Sequence, residues 1–277
     1  MVAPIITGVQ GGGDVTYCQY VKAPLDHDID ILDVKGYQSL MGHHAVAYGM
    51  PGDHPLNTNE RCTGQENLSG IFIGGIGGEG GGGLVLPEGV AFRLPRGHGI
   101  MLNTHFLNVA EDAIDGEAVL DIKFAPTDPA RKVLTLFTNV QLGIEIAAGA
   151  SGQATAECKF ARDLDFMFFS NHMHDYGTRA RSEVIRAGGS APELVHEDPK
   201  WAYEMQFKAD QSTWPLDDLL RIQSGDVLRT HCYWDNPTSE AIKFPREMCI
   251  GVGFFVSDGG SSPLCVNGAW LADRPAL

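Results

Sequence analysis

Short alternations of apolar and polar residues recur along the chain and are separated by clusters of Gly, Pro, Asn and Asp. The runs are rich in Val, Ile, Thr, Phe and Tyr, as in VTYCQYVKA, GIMLNTHFLNV, AVLDIKFAP, KVLTLFTNVQL, DVLRTHCYW and MCIGVGFFV. Such runs are typical of half-buried β-strands, and many of them at regular spacing are typical of β-sandwiches. The pattern therefore predicts an all-β fold.

Two segments depart from this pattern. WPLDDLLRIQ (214–223) keeps a helical apolar period and is the best candidate for a short helix. The glycine-rich GGIGGEGGGG (74–83) predicts a mobile surface loop. A phosphate-binding role for this loop is set aside, because the strand–loop–helix context and the following Lys are both missing.

A segment with two prolines divides the chain into two predicted domains. FAPTDPARK (124–132) interrupts the strand pattern near residue 126. The predicted boundary gives an N-terminal domain of residues 1–125 and a C-terminal domain of residues 126–277. Both are of ordinary domain size.

Charge and hydropathy argue against two classes of partner. The 277 residues carry a net charge of −15, whereas binding to nucleic-acid phosphates needs a basic surface. No apolar stretch approaches the roughly 20 residues of a membrane helix, so membrane insertion is not expected. The first residues, MVAPIITG, lack the basic and apolar regions of a signal peptide. The chain is then either cytosolic or secreted with a signal peptide that this sequence leaves out.

Cysteines are widely spaced, and they are Cys18, Cys62, Cys158, Cys232, Cys249 and Cys265. None of them forms a C-x-x-C pair, which argues against a zinc ribbon or a thioredoxin-like motif. An even number suits three disulfides, but buried free thiols would give the same count. The count alone leaves both interpretations open.

Closely spaced histidines are the leading candidates for metal ligands. In FFSNHMHDYG, His172 and His174 would lie on one face of an extended strand. In LMGHHAVAYG, His43 and His44 are adjacent and would face opposite sides of a regular strand. They can share one metal only if the strand is bulged or the rings use different nitrogens. Gly42 permits such an irregularity.

Isolated histidines are more often structural than metal-binding, and this is the expectation for His27, His54, His98, His196 and His231. His105 in MLNTHFLN and Met248 in FPREMCIGVGF are further candidates, although a methionine before a strand is usually a core residue. A thioether sulfur is a soft ligand that selects Cu(I), whereas imidazole suits several metals. Two histidines with one methionine therefore indicate copper before zinc.

The motifs HHAVAYG, LNTHF, HMHDYG and EMC, in this order, resemble those of the copper type II, ascorbate-dependent monooxygenases. This is the family of peptidylglycine α-hydroxylating monooxygenase and dopamine β-monooxygenase. The resemblance runs from about Tyr17 to about Cys265. It implies two tandem antiparallel β-sandwich domains, jelly-roll-like in form, each carrying one copper.

The same resemblance implies a ligand set for each copper. Ligands of the first-domain, electron-supplying copper match His43, His44 and His105. Ligands of the second-domain copper, where oxygen binds and catalysis takes place, match His172, His174 and Met248. Asn103 fills a position that the family gives to a polar residue near the first copper, the alternative being an ordinary turn or strand-edge Asn.

Disulfide pairing is also implied by the resemblance, as Cys18 with Cys62, Cys158 with Cys265 and Cys232 with Cys249. The family has a further cysteine where this chain has Met50, so one family bridge is missing. Because no cysteine is left over, disulfides become the favoured interpretation and imply an oxidising compartment. The protein is then expected to be secreted or periplasmic, with its signal peptide omitted from this sequence.

The implied activity is hydroxylation of an unactivated C–H bond with O₂, by two coppers that ascorbate or another one-electron reductant reduces. The substrate contacts differ from the peptide-amidating branch, which has Arg at the position of Ser170, and Asn and Tyr at those of Ile250 and Val252. Ile and Val cannot pair with a carboxylate, which would be left desolvated. A glycine-extended peptide is therefore not expected, and the small-molecule or peptide substrate and the oligomeric state stay open.

A non-catalytic copper-binding or interaction protein on the same fold is the alternative hypothesis. Two differently ligated sites favour the enzyme, because binding alone would not need both. A zinc hydrolase is a further alternative, but the sequence offers no obvious general base near the ligands.

Overall fold

The computed structural model describes residues 1–63, 66, 70–189, 191–257 and 262–271. Strands make up 59% of the structure, well above the roughly 20–25% of an average globular protein, and the predicted all-β sandwich fold is confirmed. The chain also forms a short 3₁₀ helix, Tyr203–Gln206. Among the described residues, no helix has the length and apolar character needed to cross a membrane.

The chain folds into two compact units. Among the described residues, the first comprises Met1–Leu134 and Ser257, and the second comprises Thr135–Val256 and 262–271. The division lies at residues 134 and 135, whereas the sequence-based boundary lies at 125 and 126. Lys132 and Val133 pair in parallel with Val90 and Ala91 of an earlier strand. The first residues of the strand that begins at Lys132 therefore belong to the first unit.

Strands of the first unit form two larger sheets and one small pair. They are β1 (Ile6–Val9), β2 (Asp14–Lys22), β3 (Ile29–Gln38), β4 (Gly42–Pro51), β5 (Glu60–Arg61), β6 (Ile71–Gly77), β7 (Gly80–Val85), β8 (Val90–Leu94), β9 (His98–Leu107), β10 (Ile114–Gly116) and β11 (Ala118–Pro126). One sheet has the order β5-β2-β9-β4-β6. In the other, β3 pairs with β11 along one edge and with β7 and β8 along the other.

The glycine-rich segment 74–83 is strand and not the predicted loop. It forms the end of β6 and most of β7, which pair with β4 and β3 respectively. Glycine lets the neighbouring strands approach each other closely at two positions. A Cβ at Gly74 would lie 2.5 Å from the Val34 side chain, and one at Gly83 would lie 2.7 Å from the Val34 carbonyl oxygen. Ladder hydrogen bonds to neighbouring strands, which sequence pattern does not reveal, thus outweigh the conformational freedom of glycine.

Strands of the second unit again form two larger sheets and one small pair. They are β12 (Lys132–Gln141), β13 (Glu145–Ile146), β14 (Ser151–Lys159), β15 (Leu164–His172), β16 (Gly177–Ile185), β17 (Pro192–Asp198), β18 (Ser212–Thr213), β19 (Leu220–Ile222), β20 (Val227–Asp235), β21 (Ile242–Lys243), β22 (Cys249–Ser257), β23 (Leu264–Val266) and β24 (Ala269–Leu271). One sheet has the order β14-β20-β16-β17. The other contains β12, β22, β15 and β18 in that order, with β19 on β15, and β23 pairs with β12 and β24.

The predicted short helix at 214–223 is wrong. Pro215 opens a turn in which the Asp218 N–H donates to its carbonyl, and Leu220–Ile222 then pair with Leu164–Phe166 as strand β19. Ile222 is fully buried in the apolar core of this unit. Pairing with an existing sheet edge therefore overrides a local helical period.

Three disulfides use all six cysteines, in the pairing that the resemblance implies. Cys18–Cys62 lies in the first unit, with its Cα atoms 5.1 Å apart. In the second unit, Cys158–Cys265 joins β14 to β23 and Cys232–Cys249 joins β20 to β22. Each of these two bonds links one larger sheet to the other, so the sandwich of the second unit is covalently closed. Disulfides of this kind typically stabilise a fold by about 2–4 kcal/mol each.

Candidate metal centres

Three histidines converge on neighbouring strands of the first unit. His44 in β4 stands opposite His105 in β9, and the register shifts between Gly42 and His44. His43 is therefore the extra residue of a β-bulge, one of the two arrangements that the sequence leaves open and that Gly42 permits. The ring centroids lie 5.5 Å apart for His43 and His44, 4.5 Å for His43 and His105, and 5.0 Å for His44 and His105.

Acceptors behind two of these rings determine which nitrogen is left for a metal. The Nε2 atom of His44 is 3.0 Å from the Asn103 Oδ1, and the Nε2 of His105 is 2.6 Å from the Asp14 Oδ1. Both oxygens accept a hydrogen bond from Nε2–H, so Nδ1 is the nitrogen of each ring that could bind a metal.

The distances and donor types of this set fit a copper ion. The Nδ1 atoms of His43 and His44 are 3.3 Å apart. Two nitrogens bound at about 2.0 Å to one tetrahedral ion would be separated by roughly the same distance. One ligand atom from each of the three residues lies within 4.8 Å of the other two. Three neutral imidazoles suit copper and zinc alike, so this set by itself does not choose between them.

Asp14 is a functional candidate that sequence analysis missed. It begins β2, whose register places Thr16 opposite His105, and it reaches the ring from a position 91 residues away in the chain. No motif marks it, because only strand pairing brings it to His105. Asn103 is also adjacent to the ring set, and its amide donates to the Cys62 sulfur at 3.4 Å, so it links His44 to the Cys18–Cys62 bridge.

A second pair of histidines lies where β15 ends in the second unit. His172 is the last residue of β15, and His174 lies two residues beyond the strand and not within it as the sequence predicts. The ring centroids of His172 and His174 are 5.1 Å apart, with the ring planes at 90°. The Nδ1 of His174 is 3.1 Å from the Arg246 carbonyl oxygen and donates to it, which leaves Nε2 as the ligand nitrogen. The two rings are close enough to share one metal.

The segment that carries Met248 is held against the segment that carries His174. His172 pairs with Ile250 in the antiparallel β15–β22 ladder. Continuing the same register by two residues would put Met248 opposite His174. The hydrogen bond from the His174 ring to the Arg246 carbonyl oxygen also holds these two segments together. Met248 is half-buried.

Glu247 ties these segments together and was also missed by sequence analysis. Its fully buried carboxylate accepts four hydrogen bonds. The donors are the backbone N–H groups of Tyr176 at 2.7 Å, His174 at 3.0 Å and Met248 at 3.4 Å, and the indole N–H of Trp234 at 2.8 Å. Burial raises the pKa of this carboxyl, although the N–H donors act in the opposite direction. Its only sequence signal is its place before Met248, which does not reveal what it contacts.

Each isolated histidine has at least one contact with a neighbouring ring, side chain or carbonyl oxygen, although the buried Nε2 of His98 has no hydrogen-bond partner among the described residues. His54 stacks on the Tyr20 ring at 4.0 Å, and His27 pairs with Asp26 at 2.5 Å. A buried His196 contacts the Ser212 hydroxyl and the Asp198 carboxylate. His231 contacts the Thr155 hydroxyl and the Glu183 carboxylate. His98 lies 3.4 Å from the Arg96 carbonyl oxygen.

No protein-family model and no curated protein sequence matches the chain. In structure, the chain is similar to the major capsid protein P2 of bacteriophage PM2, with 11% identity, a TM-score of 0.38, and coverage of 94% of this chain and 99% of that one. It is also similar to the VP2 subviral particle of infectious bursal disease virus, with 8% identity, a TM-score of 0.21, and coverage of 92% and 71%. Likeness at this level carries no argument about what the chain does.

Proposed function

We propose that the protein is a copper- and ascorbate-dependent monooxygenase that hydroxylates a C–H bond of a small-molecule or peptide substrate. The observation that carries this proposal is a pair of unlike ligand sets, one in each compact unit. The first is the three-histidine set, and the second is the His-x-His pair beside the Met248 segment. A metal store or carrier would not need two chemically different sets.

Copper bound at these two sets would supply one-electron chemistry with O₂, drawing its electrons from ascorbate or another one-electron reductant. The three-histidine set suits electron supply, because imidazole is a good ligand for both oxidation states of copper. Asp14 and Asn103 hold two of the three rings through Nε2. Rings that are held in this way change orientation little when the metal changes charge.

The second set suits the hydroxylation itself. His172, His174 and Met248 are three protein ligands, and such a set leaves room for a further ligand. The soft thioether of Met248 favours Cu(I) over Cu(II) and over zinc. The hydrogen bond from His174 to the Arg246 carbonyl fixes the tautomer of that ring, and the Glu247 carboxylate fixes the backbone beside it.

We also propose that the protein works in an oxidising compartment, secreted or periplasmic. Support comes from three disulfides that account for every cysteine of the chain. Bonds of this number are typical of proteins that leave the reducing cytosol.

A non-catalytic copper-binding protein is the second candidate function. The all-β scaffold of the two units would serve equally well to display copper or to dock a partner. The two candidates differ in one measurable property, which is consumption of O₂ in the presence of reductant and substrate.

Metal stoichiometry is the first test of the proposed function. The protein is loaded with copper, dialysed and measured for copper per chain, and two are expected. His105→Ala and His172→Ala should each leave one. His27→Ala is the matched control, because His27 is exposed and pairs with Asp26 on the surface, and it should leave two. A single copper that both ligand-set variants abolish would refute two independent sites.

Oxygen chemistry is the second test. Ascorbate-driven O₂ uptake by the copper-loaded protein is followed across a metabolite screen, together with the appearance of products that have gained one oxygen atom. Substrate-dependent uptake that His172→Ala abolishes is expected. Two bound coppers with no substrate-dependent uptake would favour the copper-binding protein instead.

A further inference from the structure

One face of the β15–β22 strand pair begins at the second ligand set and extends from it along both strands. The pairs Ser170–Val252 and Phe168–Phe254 follow the pair His172–Ile250 along the ladder. We call the side chains of Phe168, Ser170, Ile250, Val252 and Phe254 the outer strip. All five are half-buried, whereas the residues that alternate with them face the core.

The opposite face of the same two strands has no room for a ligand. Phe166, Phe169 and Phe255 are buried there among the aromatic core of the second unit. A Cβ at Gly251 would lie 2.5 Å from the Thr230 hydroxyl, and one at Gly253 would lie 2.5 Å from the Phe166 ring. Any molecule that reaches the ligand set along these strands must therefore lie on the outer strip.

The outer strip is neutral and aromatic at its far end. Phe168 and Phe254 meet edge to face, with ring centroids 6.5 Å apart. The next ionisable side chain along the pair is Asp165, which is already 3.8 Å from the Arg221 guanidinium. At the ligand end, the Arg246 guanidinium donates to the Tyr176 hydroxyl at 2.9 Å. None of the five side chains of the strip carries a charge, so a charged group lying on them would lose water without gaining an opposite charge from the strip.

We propose that the outer strip is the substrate subsite and that it takes a neutral, apolar or aromatic molecule. The position of the reacting end, beside His172 and His174, rests on the function proposed above; the preference for a neutral ligand does not. Phe168 is four positions before His172, which is about 13 Å along a strand. This length fits a ring with a short side chain, and Ser170 can hydrogen-bond one neutral hydroxyl or carbonyl group midway along it.

Three probes that share a phenyl ring and a two-carbon chain test the proposal. They are 2-phenylethanol, which is neutral, phenethylamine, which is a cation, and 3-phenylpropionate, which is an anion. Their binding to the copper-free protein is measured by calorimetry, so that the result does not depend on activity. We expect 2-phenylethanol to bind at least tenfold more tightly than either ion. Equal or tighter binding of an ion would overturn the proposal.

Variants locate the binding on the outer strip. Val252→Arg should weaken 2-phenylethanol and strengthen 3-phenylpropionate, reversing their order. Val109→Arg is the matched control, because Val109 is 74% exposed and lies outside the strip, and it should change neither. If Val252→Arg does not fold, Phe168→Ala should weaken 2-phenylethanol about fivefold or more. A folded variant of either residue with unchanged binding would place the ligand elsewhere.

The two proposals fail in different ways. Tight binding of 2-phenylethanol without copper uptake or O₂ consumption would retain the subsite and refute the monooxygenase. Copper-dependent hydroxylation of a charged substrate, with no preference for the neutral probe, would retain the monooxygenase and refute the subsite.

Discussion

Replacement of Glu247 by Gln should both destabilise the second unit and weaken its metal site. The Tyr176 N–H lies 2.7 Å from Oε1, whereas the other three donors, from His174, Trp234 and Met248, share Oε2. A Gln amide that keeps its oxygen at the Oε2 position turns its NH₂ group toward the Tyr176 N–H. Two donors then face each other in a buried place, and one backbone N–H loses its acceptor.

The expected magnitude follows from these contacts. An unsatisfied buried donor costs about 1–3 kcal/mol, and each of the three remaining bonds loses about 1 kcal/mol when its acceptor becomes neutral. Removal of a buried charge offsets part of this loss, since burial raises the pKa of Glu247 and thereby disfavours its ionised form. We expect a net loss of about 2–4 kcal/mol in the free energy of unfolding.

The assay can isolate the second unit. All four tryptophans, Trp201, Trp214, Trp234 and Trp270, belong to it, so tryptophan fluorescence during urea unfolding follows this unit alone. Glu145→Gln is the control, because Glu145 is 66% exposed and pairs with Lys243 at 3.2 Å. Loss of such a surface pair should change stability by about 0.5 kcal/mol or less.

The same variant should alter metal binding at one site only. In the Gln variant a neutral amide oxygen replaces the charged Oε2 as the common acceptor of the His174 and Met248 N–H groups. Both backbone segments are then held less firmly, and copper affinity at the second set should fall by about tenfold or more. Affinity at the three-histidine set should not change. Unchanged stability together with unchanged affinity at the second set would refute the role given to Glu247.

Three further predictions concern single residues. Met248→Ile nearly conserves volume and should cost less than about 1.5 kcal/mol in the free energy of unfolding. It should leave one copper per chain and abolish hydroxylation, because the soft thioether ligand is lost. Near-native turnover with two coppers would show that Met248 is not a ligand. Asp14→Asn should lower copper affinity at the three-histidine set by about 10–100-fold, measured by competition with a chelator. Asp112→Asn serves as the control. An unchanged affinity in Asp14→Asn would show that the carboxylate does not orient His105. Asp30 is fully buried, and although burial raises its pKa, hydrogen bonds from Arg93, the Asp128 N–H and Arg131 outweigh this and lower it. Its folded pKa is below the unfolded value, so its contribution to stability is present above about pH 4 and is lost as pH falls through the folded pKa; hydrogen exchange of the first unit should show this loss, and Asp30→Asn should flatten it.

Strand content and the candidate ligands could be inferred from sequence because both depend on local pattern. Alternating apolar residues mark β15 and β22, and two histidines two residues apart must share a face of any strand. The adjacency of His43 and His44 likewise required either a bulge or the use of different ring nitrogens for one shared metal, and the register shift after Gly42 shows a bulge. These inferences need no knowledge of which strands pair.

Local pattern failed where pairing partners decide conformation. Most glycines of 74–83 are strand because β3 and β4 offer them ladder hydrogen bonds, and at Gly74 and Gly83 the neighbouring strand lies too close for a side chain. Residues 220–222 are strand because the free edge of β15 accepts them. In both cases a contact with residues far away in the chain outweighs the local preference.

What the sequence by itself determined is the set of chemical groups, whereas the tertiary structure decided how they are held. His105 is visible as a ligand candidate in its own motif, but the carboxylate that orients it comes from Asp14, 91 residues earlier. Met248 is visible beside Cys249, but Glu247 acquires its role only when Tyr176 and Trp234 bring N–H groups to it. The physical reason is that a hydrogen bond depends on distances of about 3 Å between atoms, and in an all-β fold those distances are set by strand register rather than by separation along the chain.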